Sequence, residues 1–72
     1  MHALYQNFRQ ELRELRRMIE DPGWEMKQTE EYLSSDEFYR QIIKYRINEY
    51  FHGKKPTKKE LLKLLSLWEM DL

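Results

Sequence analysis

Four lysines, Lys54, Lys55, Lys58 and Lys59, bracket Pro56-Thr57 in a chain of 72 residues. Cations packed this closely at a helix start make an anion site, because the first N–H groups and the positive end of the helix dipole already favour negative charge. Upstream, Arg40, Gln41, Lys44 and Asn48 fall at spacings that place them on one stripe of a helix. Side chains of these types contact phosphates or read base edges. DNA or RNA contact through Arg40, Gln41, Lys44, Asn48 and the lysine loop is therefore one function the chain is equipped for. The sequence pI near 6.7 weighs against it, since duplex-binding domains are usually basic.

The inventory for catalysis is poor. His2 and His52 are the only histidines, and they lack the i, i+4 spacing of a zinc-binding helix face. His52 reads instead as a helix C-terminal residue favoured by the dipole. Ser34 and Ser35 read as helix caps, and Ser66 has no histidine near it in sequence. Glu30-Glu31 and Asp36-Glu37 are adjacent pairs, which on a helix diverge by about 100° rather than converge on one metal or one proton. With no cysteine there are no disulfides, thiolate metal sites or redox chemistry. No glycine-rich phosphate loop, calcium loop or cofactor fingerprint occurs. The expectation is a protein that is not an enzyme, with no catalytic, metal or cofactor-binding residues and no cofactor.

Helices must position these groups. Asp21-Pro22-Gly23 and the segment His52 to Thr57 hold all the glycines and prolines and divide the chain. Ser34-x-x-Glu37 and Thr57-x-x-Glu60 both match the reciprocal capping box that opens a helix. The predicted elements are helices at about 3–20, 24–33, 35–51 and 58–70, with no competing strand pattern. Residues 1–72 read as a single all-α domain, a compact three- or four-helix bundle.

In the first helix Tyr5, Phe8, Leu12, Leu15 and Ile19 form a heptad seam, too short for a lasting coiled coil and suited to a bundle core. A parallel copy would pair Glu11 with Arg16. The third helix is apolar over about two-thirds of its circumference, with a polar edge of Glu37, Arg40, Gln41, Lys44 and Asn48, and is expected at the centre of the domain. The fourth helix has one apolar face, Leu61, Leu62, Leu64, Leu65, Trp68 and Leu72. Leu67 and Met70 point nearly opposite, beside Lys63 and Ser66, and mark Leu67, Met70 and Lys63 as a partner interface.

Charge is balanced overall but segregated along the chain. Between Glu20 and Glu37 seven acids face Lys27 alone, and between Arg40 and Lys63 eight cations face Glu49 and Glu60. The start of the chain lacks a basic, then apolar, leader, and the leucine-rich end is interrupted by Lys63, so the chain reads as cytoplasmic with no membrane contact. A domain this small gains much of its stability from association. The function expected is that of a small protein–protein interaction module, an accessory subunit, regulator or inhibitor that binds another protein or its own copy as a homodimer, with no small-molecule substrate evident.

Overall fold

In the computed structural model, the backbone is described over residues 2–71 and the side chains over residues 7–71. Four helices follow one another: α1 (His2–Glu20), α2 (Met26–Leu33), α3 (Phe38–Tyr50) and α4 (Lys58–Asp71). Among the described residues there is no strand, and the all-α expectation holds. No helix among the described residues is long and apolar enough to cross a membrane.

Local chemistry sets each boundary. α1 ends where Asp21 turns the chain, its Oδ1 accepting from Gly23 N–H at 2.7 Å and its carbonyl from Trp24 N–H at 3.0 Å. α2 begins two residues later than the sequence suggests, because Glu25 is its N-cap and donates its own N–H to Gln28 Oε1 at 3.0 Å. Ser34 does not open α3. It closes α2, its Oγ donating to the Glu31 carbonyl at 2.7 Å. The N-cap of α3 is Glu37, whose carboxylate accepts Arg40 N–H at 3.2 Å. Thr57 and Glu60 do form the expected box at α4, with Thr57 N–H to Glu60 Oε1 at 3.0 Å and Glu60 N–H to Thr57 Oγ1 at 3.2 Å.

α3 is stopped by two successive left-handed residues, His52 (φ 52°) and Gly53 (φ 77°). Gly53 N–H reaches back to the Asn48 carbonyl at 3.0 Å, satisfying a carbonyl that the helix end leaves open. His52 thus takes a backbone conformation that L-residues avoid.

The core is a single cluster in which Phe8, Leu12, Leu15 and Ile19 of α1 meet Leu33, Ile43, Ile47, Leu61, Leu64 and Leu65. The heptad seam of α1 is therefore spent inside the chain, and Tyr5 lies outside the described side chains. α1, rather than α3, makes the most extensive contacts with the other three helices, and α4 lies chiefly along it. The reason is length and pattern. The 19 residues of α1 carry an unbroken apolar stripe, whereas the 13 residues of α3 bury only Ile43 and Ile47. The surplus apolar residues of α3 have no helix left to cover them.

Candidate interaction surfaces

On a helix of 3.6 residues per turn, Ile43 and Ile47 occupy one side of α3 and Phe38, Ile42 and Tyr45 the other, at the i, i+4, i+7 spacing of anchors that enter a partner. Phe38 is 63% exposed and Tyr45 64%, with Ile42 half-buried between them. Together with Gln41, Arg46 and Glu49 they line a shallow groove of about 310 Å³. The rings are held in place. Phe38 stands edge-on to Tyr39 with centroids 5.5 Å apart, and Tyr45 donates its hydroxyl hydrogen to Glu49 Oε1 at 3.2 Å. Arg46 lies 5.5 Å from the ring of Phe8 and closes the core at that edge. The wide apolar surface of α3 predicts a central helix with its tyrosines at the margins, whereas the structure leaves both Phe38 and Tyr45 exposed. Their spacing was the available signal, and what was missing was how little surface α1 and α2 can cover.

The expected interface on α4 is at the surface. Leu67 is 45% and Met70 81% exposed, and Lys63 is exposed beside them, on the side of α4 turned away from Leu61, Leu64 and Leu65. Met70 also borders a groove with Arg9, Arg13 and Arg16 of α1. There α4 is clasped to α1 by ion pairs from Glu69 to Arg16 (2.7 Å) and Arg13 (3.4 Å). Arg16 also reaches Glu20 at 3.4 Å. Glu11 and Arg16, which the sequence offered as partners across two parallel copies, thus serve contacts within the chain.

The stripe of possible nucleic-acid contacts is divided by the fold. Arg40 faces inward. Its Nε is 3.3 Å from Glu11 Oε2 and 4.0 Å from Glu37, and its guanidinium covers the Tyr32 ring at 4.0 Å. Tyr32 donates to the same Glu11 carboxylate, and burial, then that hydrogen bond and its charge, push the phenol above its ordinary range. Arg40 is a tie among α1, α2 and α3. Gln41 belongs to the outer groove of α3.

Lys44, Asn48, Lys54 and Lys55 do converge, around a different cleft between α2, α3 and the loop before α4. Lys58 donates to the Asp21 carbonyl at 3.2 Å, and Lys59 is exposed. The N-terminus of α4 is already served by a carboxylate, because Glu60 occupies the capping box and its own acidity is increased by the Thr57 bonds, backbone first. The charge blocks of the sequence also fold onto each other, with Lys55 Nζ 3.9 Å from Glu30. His52 is exposed in the loop, and the side chain of His2 lies outside the described residues.

Three arginines, Arg9, Arg13 and Arg17, run along the outer face of α1 at i, i+4 spacing, interleaved with Gln10 and Glu14. Compared with known proteins, the chain matches no family model, no curated protein and no solved structure.

Proposed function

We propose that this chain is a small protein–protein interaction module that docks through the outer face of α3 onto a helix of its partner, in the simplest case the same helix of a second copy. The observation that supports this reading is the exposure of Phe38 and Tyr45 on either side of Ile42. Aromatic anchors in the middle of a polar rim are the composition of interface centres. Each ring that passes from water into an interface contributes about 1.5–3 kcal/mol. Arg46 and Glu49 give the same rim one cation and one anion, so two copies related by a two-fold axis offer opposite charges to each other. The net charge of zero adds no repulsion between copies.

Sedimentation equilibrium tests the reading. The parent chain is expected to dimerise at roughly 100 μM, above the micromolar Kd of a weak specific pair. The double substitution Phe38→Asp with Tyr45→Asp is expected to give monomers with unchanged helical circular dichroism. A parent that stays monomeric reserves the face for a different protein. A double variant that dimerises as the parent does refutes α3 as the docking surface.

A further inference from the structure

The cleft where Lys44, Asn48, Lys54 and Lys55 meet has a volume of about 350 Å³. Its floor is made by Leu33, Ile47 and Leu61, all buried, and its walls include Met26 and Pro56. Three ammonium groups stand at its mouth against a single carboxylate, Glu30, and the Lys55–Glu30 pair is open at 3.9 Å, with the Lys55 side chain 83% exposed. Inside, Thr29 is buried and accepts the Trp24 indole N–H at 2.8 Å, a bond that leaves its own hydroxyl hydrogen to donate. An apolar pit with a few convergent polar groups is the usual build of a small-molecule site, and this volume is at the lower end of the range for such sites.

We propose that this cleft binds a small monocarboxylic acid with an apolar body, of the class of a medium-chain fatty acid. The apolar end would rest on Leu33, Ile47 and Leu61, and the carboxylate would lie among Lys44, Lys54 and Lys55. A bare phosphate or a nucleic-acid backbone uses the cations and leaves the apolar floor in water, whereas a neutral apolar molecule leaves the excess positive charge unanswered. Only a ligand with both parts complements the whole cleft. The proposal is independent of the α3 reading, because the cleft and the outer groove of α3 share no residue.

The test is a titration of the full chain with sodium octanoate, followed by calorimetry and by backbone amide NMR shifts. Saturable binding is expected, with the largest shifts at Lys44, Asn48, Gly53, Lys54 and Lys55. Octanol, and octanoate added to the variant Lys44→Ala, Lys54→Ala, Lys55→Ala, should each bind at least about tenfold more weakly, the size of effect that loss of one charge-assisted hydrogen bond produces. Met26→Glu, which sets a carboxylate in the wall, should abolish binding while circular dichroism stays unchanged. The proposal is overturned by an absence of saturable binding, by octanol binding as tightly as octanoate, by shifts centred elsewhere on the molecule, or by inorganic phosphate or a short DNA duplex competing as well as octanoate does.

Discussion

The guanidinium of Arg40 lies 4.0 Å from the ring centroid of Tyr32, and both side chains converge on the carboxylate of Glu11. Three helices are joined at this one polar point beside an otherwise apolar core. The Tyr32 phenol is held above its ordinary range, so the folded state favours its protonated form. Stability from this group is therefore fully present below the unfolded phenol value of about 10 and is lost as pH rises above it. Tyr32→Phe should cost about 1.5–3 kcal/mol near neutral pH, the worth of a hydrogen bond to a charged group. Urea melts of parent and variant should differ at neutral pH and draw together in strongly alkaline buffer. Equal separation at both would remove Tyr32 from the pH dependence.

At the other end of the titration range stands Glu60. Its bonds with Thr57, the one to the Thr57 backbone first, hold its pKa below the usual carboxylate value in the folded state. The sign is opposite to that of Tyr32. The stabilisation is present above the unfolded carboxylate value of about 4.3 and fades as pH falls through and below it. Glu60→Gln should therefore separate from the parent in thermal melts at neutral pH and converge with it in acid. Thr57→Ala, which removes the cap itself, should cost about 1 kcal/mol at neutral pH.

Ile42 and Ile43 are neighbours on α3 with unequal burial, Ile43 completely enclosed and Ile42 at the margin of the core. Ile43→Ala should destabilise by about 2–4 kcal/mol, the cost of emptying a closed site. Ile42→Ala should cost no more than about half as much, since part of that side chain already meets water. Denaturant midpoints compare the two directly. Equal losses would mean that the outer face of α3 is covered in solution.

Gly53 carries the left-handed turn that ends α3, with nothing within 4 Å of the position a Cβ would take. The penalty of Gly53→Ala is thus conformational rather than steric. It should reach about 1–2 kcal/mol, the usual cost of placing an L-residue in that region. Replacing the neighbouring His52 (φ 52°) by Gly should act in the other direction and raise the melting temperature. A stabilising Gly53→Ala would show that the turn has another conformation open to it.

These contrasts show where the sequence was legible. Thr57 and Glu60 act within four residues of each other, so their chemistry could be read from the chain alone and is found as expected. Ser34 and Glu37 have the same spacing, yet Ser34 is already engaged by the Glu31 carbonyl at the end of α2. That competition depends on where α2 stops, which a local motif does not contain. The wide apolar surface of α3 suggested a central position, but burial depends on what the other helices can cover, and α4 is committed to α1. Leu67 and Met70 were placed correctly on the surface because α4 has a single packed side, against which they are nearly opposite. The lysine and arginine stripe was divided because Arg40 found Glu11 and Tyr32, partners 29 and 8 residues away in sequence.

The two exposed apolar faces, on α3 and α4, make different predictions for association. Phe38 and Tyr45 flank a half-buried isoleucine and border a groove, so a partner can bury a continuous patch there. Leu67 and Met70 stand beside Lys63, the groove that Met70 borders is otherwise lined by polar and charged side chains, and Met70, one residue from the last of α4, is 81% exposed. Single exposed apolar residues of that kind are ordinary and require no partner. Leu67→Glu with Met70→Glu should therefore leave the association constant of the parent within about threefold, a change of less than the 1.4 kcal/mol that corresponds to tenfold. Phe38→Asp with Tyr45→Asp should weaken it by at least about a hundredfold, because two anchors are lost and like charges are set across the axis. Both pairs of substitutions lie on exposed side chains, so both variants should keep the thermal stability of the isolated chain. The reverse order, with the α4 pair abolishing association and the α3 pair leaving it intact, would move the interface to Leu67, Met70 and Lys63.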